Sequence, residues 1–356
     1  MAFVSMRMSF KIWLARENKD WESDTISHPD FPKGAVPCVV DRVSQGTQIP
    51  PVPTPSEPKT CFIPETPKPN PVSISPPVGL ANLGNTCYAN CILQALQVFP
   101  RFWLASANTS NSTPLRKSFY LLMSLMKNGS NRLDPRFFLA RLGSVISLTQ
   151  GKPFAINKPQ DASEVLQIIL DELVQSSPDC FANVSSEVRS CTTCNVCLSE
   201  KQSLDQRTLF RVPVANRFDD CVSSFLNPQI VNEFCPLCNS IQEATIECQF
   251  KKCPDIFICH IDRNTTFRGN TIKDDRRVII TDTLTLPEIV DSEVSSRHRF
   301  LLKAVINHSG SPQSGHYSAY VNHFQNWYFC NDSLVSRCKF SSINPSHVSI
   351  LFYERI

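Results

Sequence analysis

Hydrophobic residues that follow residue 77 repeat at helical spacing. Ile92, Leu93 and Leu96 fall on one side of a helix that the pattern predicts over 86–98. The other segments with helical spacing are 115–128, 134–146 and 160–175. The first half of this region is therefore expected to be helical.

Short runs of β-branched and aromatic residues replace the helical pattern further along the chain. Such runs, separated by polar residues, are typical of β-strands. The predicted strands are 207–214, 244–250, 255–262, 276–286, 299–310, 316–323, 326–332 and 348–355. Helices followed by strands predict an α+β fold with an antiparallel sheet.

Proline dominates the chain before this region. Residues 1–77 contain 14 of the 27 prolines, and proline is excluded from helix interiors and central strands. We predict an extended, largely disordered arm over 1–76 and a folded domain over 77–356. Two roles stay open for the arm, a passive linker or a docking site for a domain that binds proline motifs.

Overall composition narrows the classes of partner and compartment. The formal net charge is +3 without a long basic run, which argues against nucleic acids and acidic membrane surfaces as partners. Neither a run of 18 apolar residues nor a secretory signal is found. The 16 cysteines without an export signal favour a reducing intracellular compartment, cytoplasm or nucleus, with thiols bound to metal or buried.

The segment NLGNTCYANC places Cys87 at the predicted start of a helix. Asn85 and Thr86 are residues that favour the cap position, so Cys87 is expected in the first helical turn. Unpaired N–H groups and the helix dipole favour a thiolate there, which becomes a nucleophile once a base lies nearby. A buried structural thiol is the alternative interpretation.

The candidate base is His316, which follows Gly315 at the start of a predicted strand. His308 is a competing candidate in a predicted loop. The next strand ends at Asn331 and Asp332, so either residue could accept the second imidazole N–H group and orient the ring.

Two matched cysteine pairs indicate a metal site. Cys191 and Cys194 form one Cys-x-x-Cys pair, and Cys235 and Cys238 form another after 40 intervening residues. Four thiolates would close a tetrahedral zinc site of the structural type. Because Cys194 and Cys197 also have this spacing, the register of the first pair stays open.

Several segments resemble the ubiquitin-specific protease family. GLANLGNTCYANCILQAL (79–96) resembles the family's cysteine box, and HSGSPQSGHYSAYV (308–321) resembles its histidine box. NWYFCNDSLVS (326–336) resembles the end of that box, and KPQDASEVLQIILDEL (158–173) resembles the helix between them. The resemblance covers about 77–356 in the family's order.

This resemblance implies a papain-like fold with a helical thumb, an antiparallel palm and zinc-bearing fingers at roughly 186–262. It implies a cysteine-type deubiquitinase that hydrolyses the bond after the C-terminal glycine of ubiquitin, usually an isopeptide bond to a lysine. Zinc is then structural, and catalysis needs no cofactor. Two alternatives are an isopeptidase for another ubiquitin-like modifier and an inactive scaffold that binds ubiquitin.

The resemblance also assigns catalytic roles to individual residues. It implies that Cys87 is the nucleophile, that His316 is the general base and that Asn331 orients the histidine. Asn82 takes the position of the family's oxyanion-hole side chain. Asp332 corresponds to a second acid that shares the orienting or oxyanion role.

Three further residues correspond to ubiquitin contacts of the family. Asp161 and Glu164 match acidic positions that face the basic tail of ubiquitin, although a solvated helix surface is the alternative. Tyr317 is expected to line the channel for the two terminal glycines. Ser163 stands where many relatives have Gln, which removes one expected contact with the tail.

Overall fold

The computed structural model describes residues 76–356 except for 106, 108–111, 130–131, 152, 157, 179–180, 268–269 and 291–293. The described residues belong to one compact unit. The arm predicted over 1–76 lies outside them apart from Pro76, so the domain division stays a prediction.

The four predicted helices are present in the described part of the chain, together with two short helices that the hydrophobic pattern did not reveal. The helices are α1 (Cys87–Gln97), α2 (Pro100–Leu104), α3 (Pro114–Asn128), α4 (Arg136–Gln150), α5 (Ala162–Ser176) and α6 (Phe218–Leu226). All residues of α1 are buried, so α1 is a central helix packed on every side.

The strands that follow are more numerous than the pattern predicts. They are β1 (Ser186–Cys194), β2 (Glu200–Arg207), β3 (Phe210–Pro213), β4 (Gln229–Cys235), β5 (Ser240–Lys252), β6 (Ile256–Asp262), β7 (Asn264–Phe267), β8 (Asn270–Lys273), β9 (Thr283–Val290), β10 (Val294–Gly310), β11 (Gly315–His323), β12 (Asn326–Asn331), β13 (Leu334–Cys338) and β14 (Val348–Arg355). The segment predicted as one strand over 207–214 belongs to both β2 and β3.

The main sheet has the strand order β13-β12-β11-β10-β14-β6-β3, and β9 pairs with β10. Its pairings are antiparallel, as expected, except that β3 runs parallel to β6. Because residues of one strand alternate between the two faces, one face packs against α1 to α5 and the other builds a second apolar core with α6.

A second sheet of four strands has the order β2-β1-β5-β4. It ends at Lys252, whereas the range predicted for the fingers extends to 262. Residues 256–262 form β6 in the main sheet instead, since Ile256, Ile258 and neighbouring residues bury their side chains in the two cores.

Candidate active site

A left-handed turn delivers Cys87 to the first position of α1. Gly84 and Asn85 have φ angles of +93° and +57°. Thr86 occupies the N-cap position but makes no side-chain cap hydrogen bond, because its hydroxyl accepts from the N–H of Leu83 at 2.9 Å. The helix N-terminus is therefore not blocked by its cap residue.

Burial decides the protonation of the Cys87 thiol. The side chain is 8% exposed, and burial raises its pKa above 9.0, with a smaller contribution from the charge of Asp332. Backbone N–H groups of Tyr317, Tyr88 and Cys87 itself act in the opposite direction. Desolvation therefore outweighs the stabilisation of a thiolate that was expected from the helix start. Cys87 is a neutral thiol that needs a base to become a nucleophile.

The candidate base, His316, lies at the start of β11, and β11 packs against α1. The backbone N–H of Tyr317 lowers the pKa of the Cys87 thiol by hydrogen bonding, and His316 is the residue that precedes Tyr317 in β11. The Nε2 atom of His316 lies 2.6 Å from Oδ1 of Asn331. A carbonyl oxygen only accepts, so Nε2 carries the proton and Nδ1 keeps its lone pair for the thiol. Of the two orienting candidates, Asn331 rather than Asp332 contacts the imidazole.

Asp332 contacts two asparagine amides instead. Its Oδ2 atom accepts from Nδ2 of Asn82 at 2.9 Å, and its Oδ1 atom accepts from Nδ2 of Asn90 at 2.8 Å. The amide oxygen of Asn82 accepts from the N–H groups of Gly84 and Thr86 at 3.0 and 3.2 Å. These bonds fix Asn82 with its NH2 group as the donor, as an oxyanion contact requires.

His308, the competing base, lies in β10 rather than in the predicted loop. Its ring stacks on Tyr317 with centroids 4.4 Å apart, and burial together with Lys273 lowers its pKa to about 4. A side chain at Gly315 would place its Cβ 2.1 Å from Nε2 of His308, so only glycine fits there. His308 is thus neutral. Of the two histidines, His316 is the one that contacts an orienting amide, that of Asn331.

A cleft of about 190 Å³ opens in front of the thiol. Cys87, Tyr317, His308 and Asp161 line it together with residues 312–315. Gly315 contributes no side chain to this lining.

The predicted contact residues lie at this cleft or next to it. Asp161 caps α5, accepting from the N–H groups of Ser163 and Glu164 at 2.7 and 3.2 Å. Ser163 is buried and its hydroxyl donates to Asp161 at 2.6 Å. Glu164 is exposed in the first turn of α5, and the hydroxyl of Tyr317 accepts from the N–H of Ala162 at 3.4 Å.

Four cysteines gather at the end of the four-stranded sheet. They are Cys194, Cys197, Cys235 and Cys238, and their sulfur atoms all lie within 4.8 Å of one another. The Sγ atoms of Cys194 and Cys238 are 3.9 Å apart, and those of Cys197 and Cys235 are 3.5 Å apart. The cluster could therefore bind a metal ion.

Cys191 was predicted as the first ligand of this cluster, and the structure replaces it by Cys197. Cys191 lies inside β1, where it faces Gln202 and Glu247 on the neighbouring strands. A strand rises about 3.3 Å per residue, which separates Cys191 from Cys194 by about 10 Å and turns it to the opposite face. Cys197 lies in the turn after β1, so its side chain can fold back.

A sequence model described as "Ubiquitin carboxyl-terminal hydrolase" matches residues 78–353. The chain belongs to this family. Helices α1 to α5 are accordingly its thumb, the main sheet is its palm, and the four-stranded sheet is its fingers. The α+β fold predicted from the sequence is confirmed.

Individual relatives are similar at modest identity. Ubiquitin carboxyl-terminal hydrolase 51 of Mus musculus is 26% identical over 339 residues, which cover 78% of this chain and 51% of the relative. Ubiquitin carboxyl-terminal hydrolase 4 of Arabidopsis thaliana is 26% identical over 348 residues, covering 78% and 93%. The chain thus spans about half the length of the mouse relative.

Solved structures show the same fold. A structure described as the SAGA Ubp8/Sgf11/Sus1/Sgf73 DUB module bound to ubiquitin aldehyde matches with a TM-score of 0.65 and 21% identity. A second structure of that module, bound to monoubiquitin, matches with a TM-score of 0.64 and 22% identity. Each match covers 78% of this chain and 69% of the other one.

Sequence reasoning missed two polar residues that serve this site. Asn90 contacts Asp332 from inside α1, and Lys273 on β8 contacts the last residues of β10. The available signal for Asn90 is an amide next to the apolar residues of a predicted helix. Lys273 carries no such signal, because lysine is common in hairpins.

Proposed function

We propose that this protein is a thiol-dependent deubiquitinase that hydrolyses the peptide or isopeptide bond after the C-terminal glycine of ubiquitin. The proposal rests on Cys87, which lines the cleft, and on His316, which lies between the cleft residues Gly315 and Tyr317 and is held by Asn331. The membership of the chain in the hydrolase family supports it.

The reaction begins with a proton transfer. His316 presents its unprotonated Nδ1 to the thiol, since Asn331 holds Nε2 as a donor. Nδ1 takes the proton from Cys87, and the thiolate attacks the carbonyl carbon of the terminal glycine. Because the buried thiol has a raised pKa, it is neutral before the reaction and loses its proton to His316 during the attack.

Negative charge then develops on the carbonyl oxygen. The donors available to it are the Nδ2 group of Asn82, held by Asp332, and the N–H groups at the start of α1. Collapse of the tetrahedral species breaks the C–N bond, and the imidazolium of His316 protonates the departing amine. Water activated by His316 then hydrolyses the thioester and regenerates Cys87.

Asp161, Glu164 and Tyr317 are the proposed contacts for the tail of ubiquitin. Asp161 and Tyr317 line the cleft, and Glu164 projects from the adjacent helical turn. Structures of a similar chain bound to ubiquitin aldehyde and to monoubiquitin support ubiquitin as the partner.

The test uses probes that carry an electrophile at the C-terminus of ubiquitin or of another ubiquitin-like modifier. We expect a covalent adduct with the ubiquitin probe and none in Cys87→Ala. An adduct that persists in Cys87→Ala would overturn the choice of nucleophile.

The same probes separate the two alternatives. If only the probe built on another modifier reacts, that modifier rather than ubiquitin is the substrate. Absence of every adduct, in a protein that still binds ubiquitin, would favour the inactive scaffold. The complete set of Cys87, His316, Asn331 and Asn82 supports the active enzyme over that scaffold.

We also propose that the cysteine cluster holds one structural zinc ion. Zinc–sulfur bonds of about 2.3 Å in a tetrahedron set sulfur atoms about 3.8 Å apart, and the observed spacings of 3.5 and 3.9 Å fit. Cys194, Cys197, Cys235 and Cys238 would be the ligands. Zinc would join the β1–β2 turn to the β4–β5 turn and so stabilise the fingers.

Intracellular residence and a partner for the arm complete the proposal. The 13 cysteines of the described residues form no disulfide with one another, as a reducing compartment permits. No helix among the described residues is long and apolar enough to cross a membrane. The proposed docking of a domain that binds proline motifs concerns the arm, which lies outside the described residues.

A further inference from the structure

Asn90 is buried in α1, one turn after the nucleophile. It is 2% exposed. Its Nδ2 group donates to the carbonyl oxygen of Ala81 at 3.2 Å and to Oδ1 of Asp332 at 2.8 Å. Both partners only accept, so the orientation of the amide is unambiguous. The central helix thereby anchors a residue that follows β12.

Asp332, held by Asn90, in turn holds Asn82 by a hydrogen bond. Its φ angle is +50°, and its carbonyl oxygen accepts from the N–H of Leu80 at 2.9 Å. One carboxylate oxygen receives Asn90 and the other receives Asn82. Asn82 itself lies in an exposed loop, so the carboxylate connects this loop to the rigid core.

A carboxylate next to the reacting atoms also has an electrostatic cost. Negative charge on Asp332 opposes the charge of a thiolate at Cys87 and would oppose an oxyanion in the same way. Asn90 donates to the carboxylate oxygen that Asn82 does not use, so it fixes the position of this charge relative to Asn82.

We infer that Asn90 is a positioning residue for the reaction, which holds Asp332 so that the second N–H of the Asn82 amide points at the developing oxyanion. The inference rests on the proposed function. Asn90 touches neither the substrate nor the thiol; it acts through two successive hydrogen bonds. Its removal should therefore weaken binding of the tetrahedral state and leave the reactivity of the thiol unchanged.

Gln94 offers a matched control. It lies on α1 four residues after Asn90, is also 2% exposed and donates its amide to the carbonyl oxygen of Val78 at 2.7 Å. In both residues the side-chain carbonyl oxygen is buried without a hydrogen-bond partner. Replacement of Gln94 therefore reproduces the loss of a buried amide without disturbing Asp332.

The experiment compares Asn90→Leu, Asn90→Ser and Gln94→Met in the full chain. Hydrolysis of a fluorogenic ubiquitin amide gives kcat and KM, and inhibition by ubiquitin aldehyde reports the tetrahedral adduct. Alkylation of Cys87 by iodoacetamide forms no oxyanion and reports the thiol alone. Thermal unfolding identifies variants that have lost the fold.

For Asn90→Leu we expect about a tenfold fall in kcat and a similar loss of affinity for the inhibitor ubiquitin aldehyde. The expected loss is smaller than the factor of about 10²–10³ in kcat that removal of a complete oxyanion donor causes. KM and the alkylation rate should stay unchanged. Asn90→Ser has a smaller side chain that retains one hydrogen-bond donor, so its kcat and its affinity for ubiquitin aldehyde should fall less. Gln94→Met should change none of these quantities.

Equal losses in Asn90→Leu and Gln94→Met, or a slower alkylation in Asn90→Leu, would overturn the inference in favour of a merely structural role. In an Asn82→Ala background the replacement of Asn90 should have no further effect on kcat, and an additive effect would also overturn it. Should the wild type hydrolyse no modifier at all, the proposed function fails. The side-chain amide resonances of Asn82 then decide the inference: unchanged resonances in Asn90→Ser and Asn90→Leu would refute it.

Discussion

The ammonium group of Lys273 donates to the carbonyl oxygen of His308 over 2.8 Å. It also donates to the carbonyl oxygen of Gly310 at 3.1 Å, and its side chain is only 5% exposed. Lys273 ends β8, whereas His308 and Gly310 end β10, directly before residues 312–314 that line the cleft. One buried cation thus connects the β7–β8 hairpin to the wall of the proposed glycine channel.

Replacement of Lys273 by Met should loosen that wall without touching the thiol. We expect a several-fold rise in KM for ubiquitin substrates with kcat nearly unchanged. Loss of the charge-assisted bonds should also reduce the free energy of unfolding by about 1.5–3 kcal/mol. Lys303→Met is the control, since Lys303 pairs with Glu354 at 3.4 Å outside the cleft lining. A KM equal to that of the control would contradict the prediction.

The pH dependence of Cys87 alkylation should report its buried position. Burial raises the pKa of this thiol above 9.0, so the thiolate becomes abundant only as the pH rises through a value higher than 9. In His316→Ala, where no base assists, iodoacetamide should react with Cys87 with a midpoint above pH 9. At pH 7 the reaction should be slower than with free cysteine. Mass spectrometry restricted to the Cys87 peptide measures this rate, and a midpoint below 9 would show that the helix N-terminus outweighs burial.

Two serine substitutions distinguish the ligands of the cysteine cluster. Cys197→Ser should release most of the bound zinc and destabilise the fingers, because zinc binding contributes directly to the stability of a small site. Cys191→Ser should retain about one zinc ion per chain, since Cys191 faces Gln202 and Glu247 inside β1. Metal analysis by mass spectrometry and thermal unfolding check both. Zinc loss in Cys191→Ser with retention in Cys197→Ser would restore the register expected from the sequence.

Asp161 combines a helix cap with a negative charge, and substitutions can separate the two. Asn is as good a cap as Asp, so Asp161→Asn should keep the thermal stability while raising KM for ubiquitin. Asp161→Ala should raise KM and also cost about 1 kcal/mol of stability, because the N–H groups of Ser163 and Glu164 lose their acceptor. Steady-state kinetics and thermal unfolding separate these effects. An unaltered KM in Asp161→Asn would leave Asp161 with the structural role alone.

Local patterns in the sequence determined the helices, the α+β class and the residues proposed for catalysis. The spacing of Ile92, Leu93 and Leu96 predicts the helix α1, and short motifs surround Cys87 and His316. These features depend on neighbours within one or two turns of the backbone, which a single sequence displays directly.

Only the tertiary structure decided which side chains meet. Asn90 and Asp332 are 242 residues apart in the chain, and no local pattern pairs them. The Cys-x-x-Cys spacing allowed both Cys191 and Cys197, and the choice depended on where β1 ends and its turn begins. Likewise the helix start favoured a thiolate at Cys87, but burial in the assembled fold raised the pKa of this thiol. Desolvation, strand register and long-range hydrogen bonds arise from the assembled fold, so the sequence specifies them only through that fold.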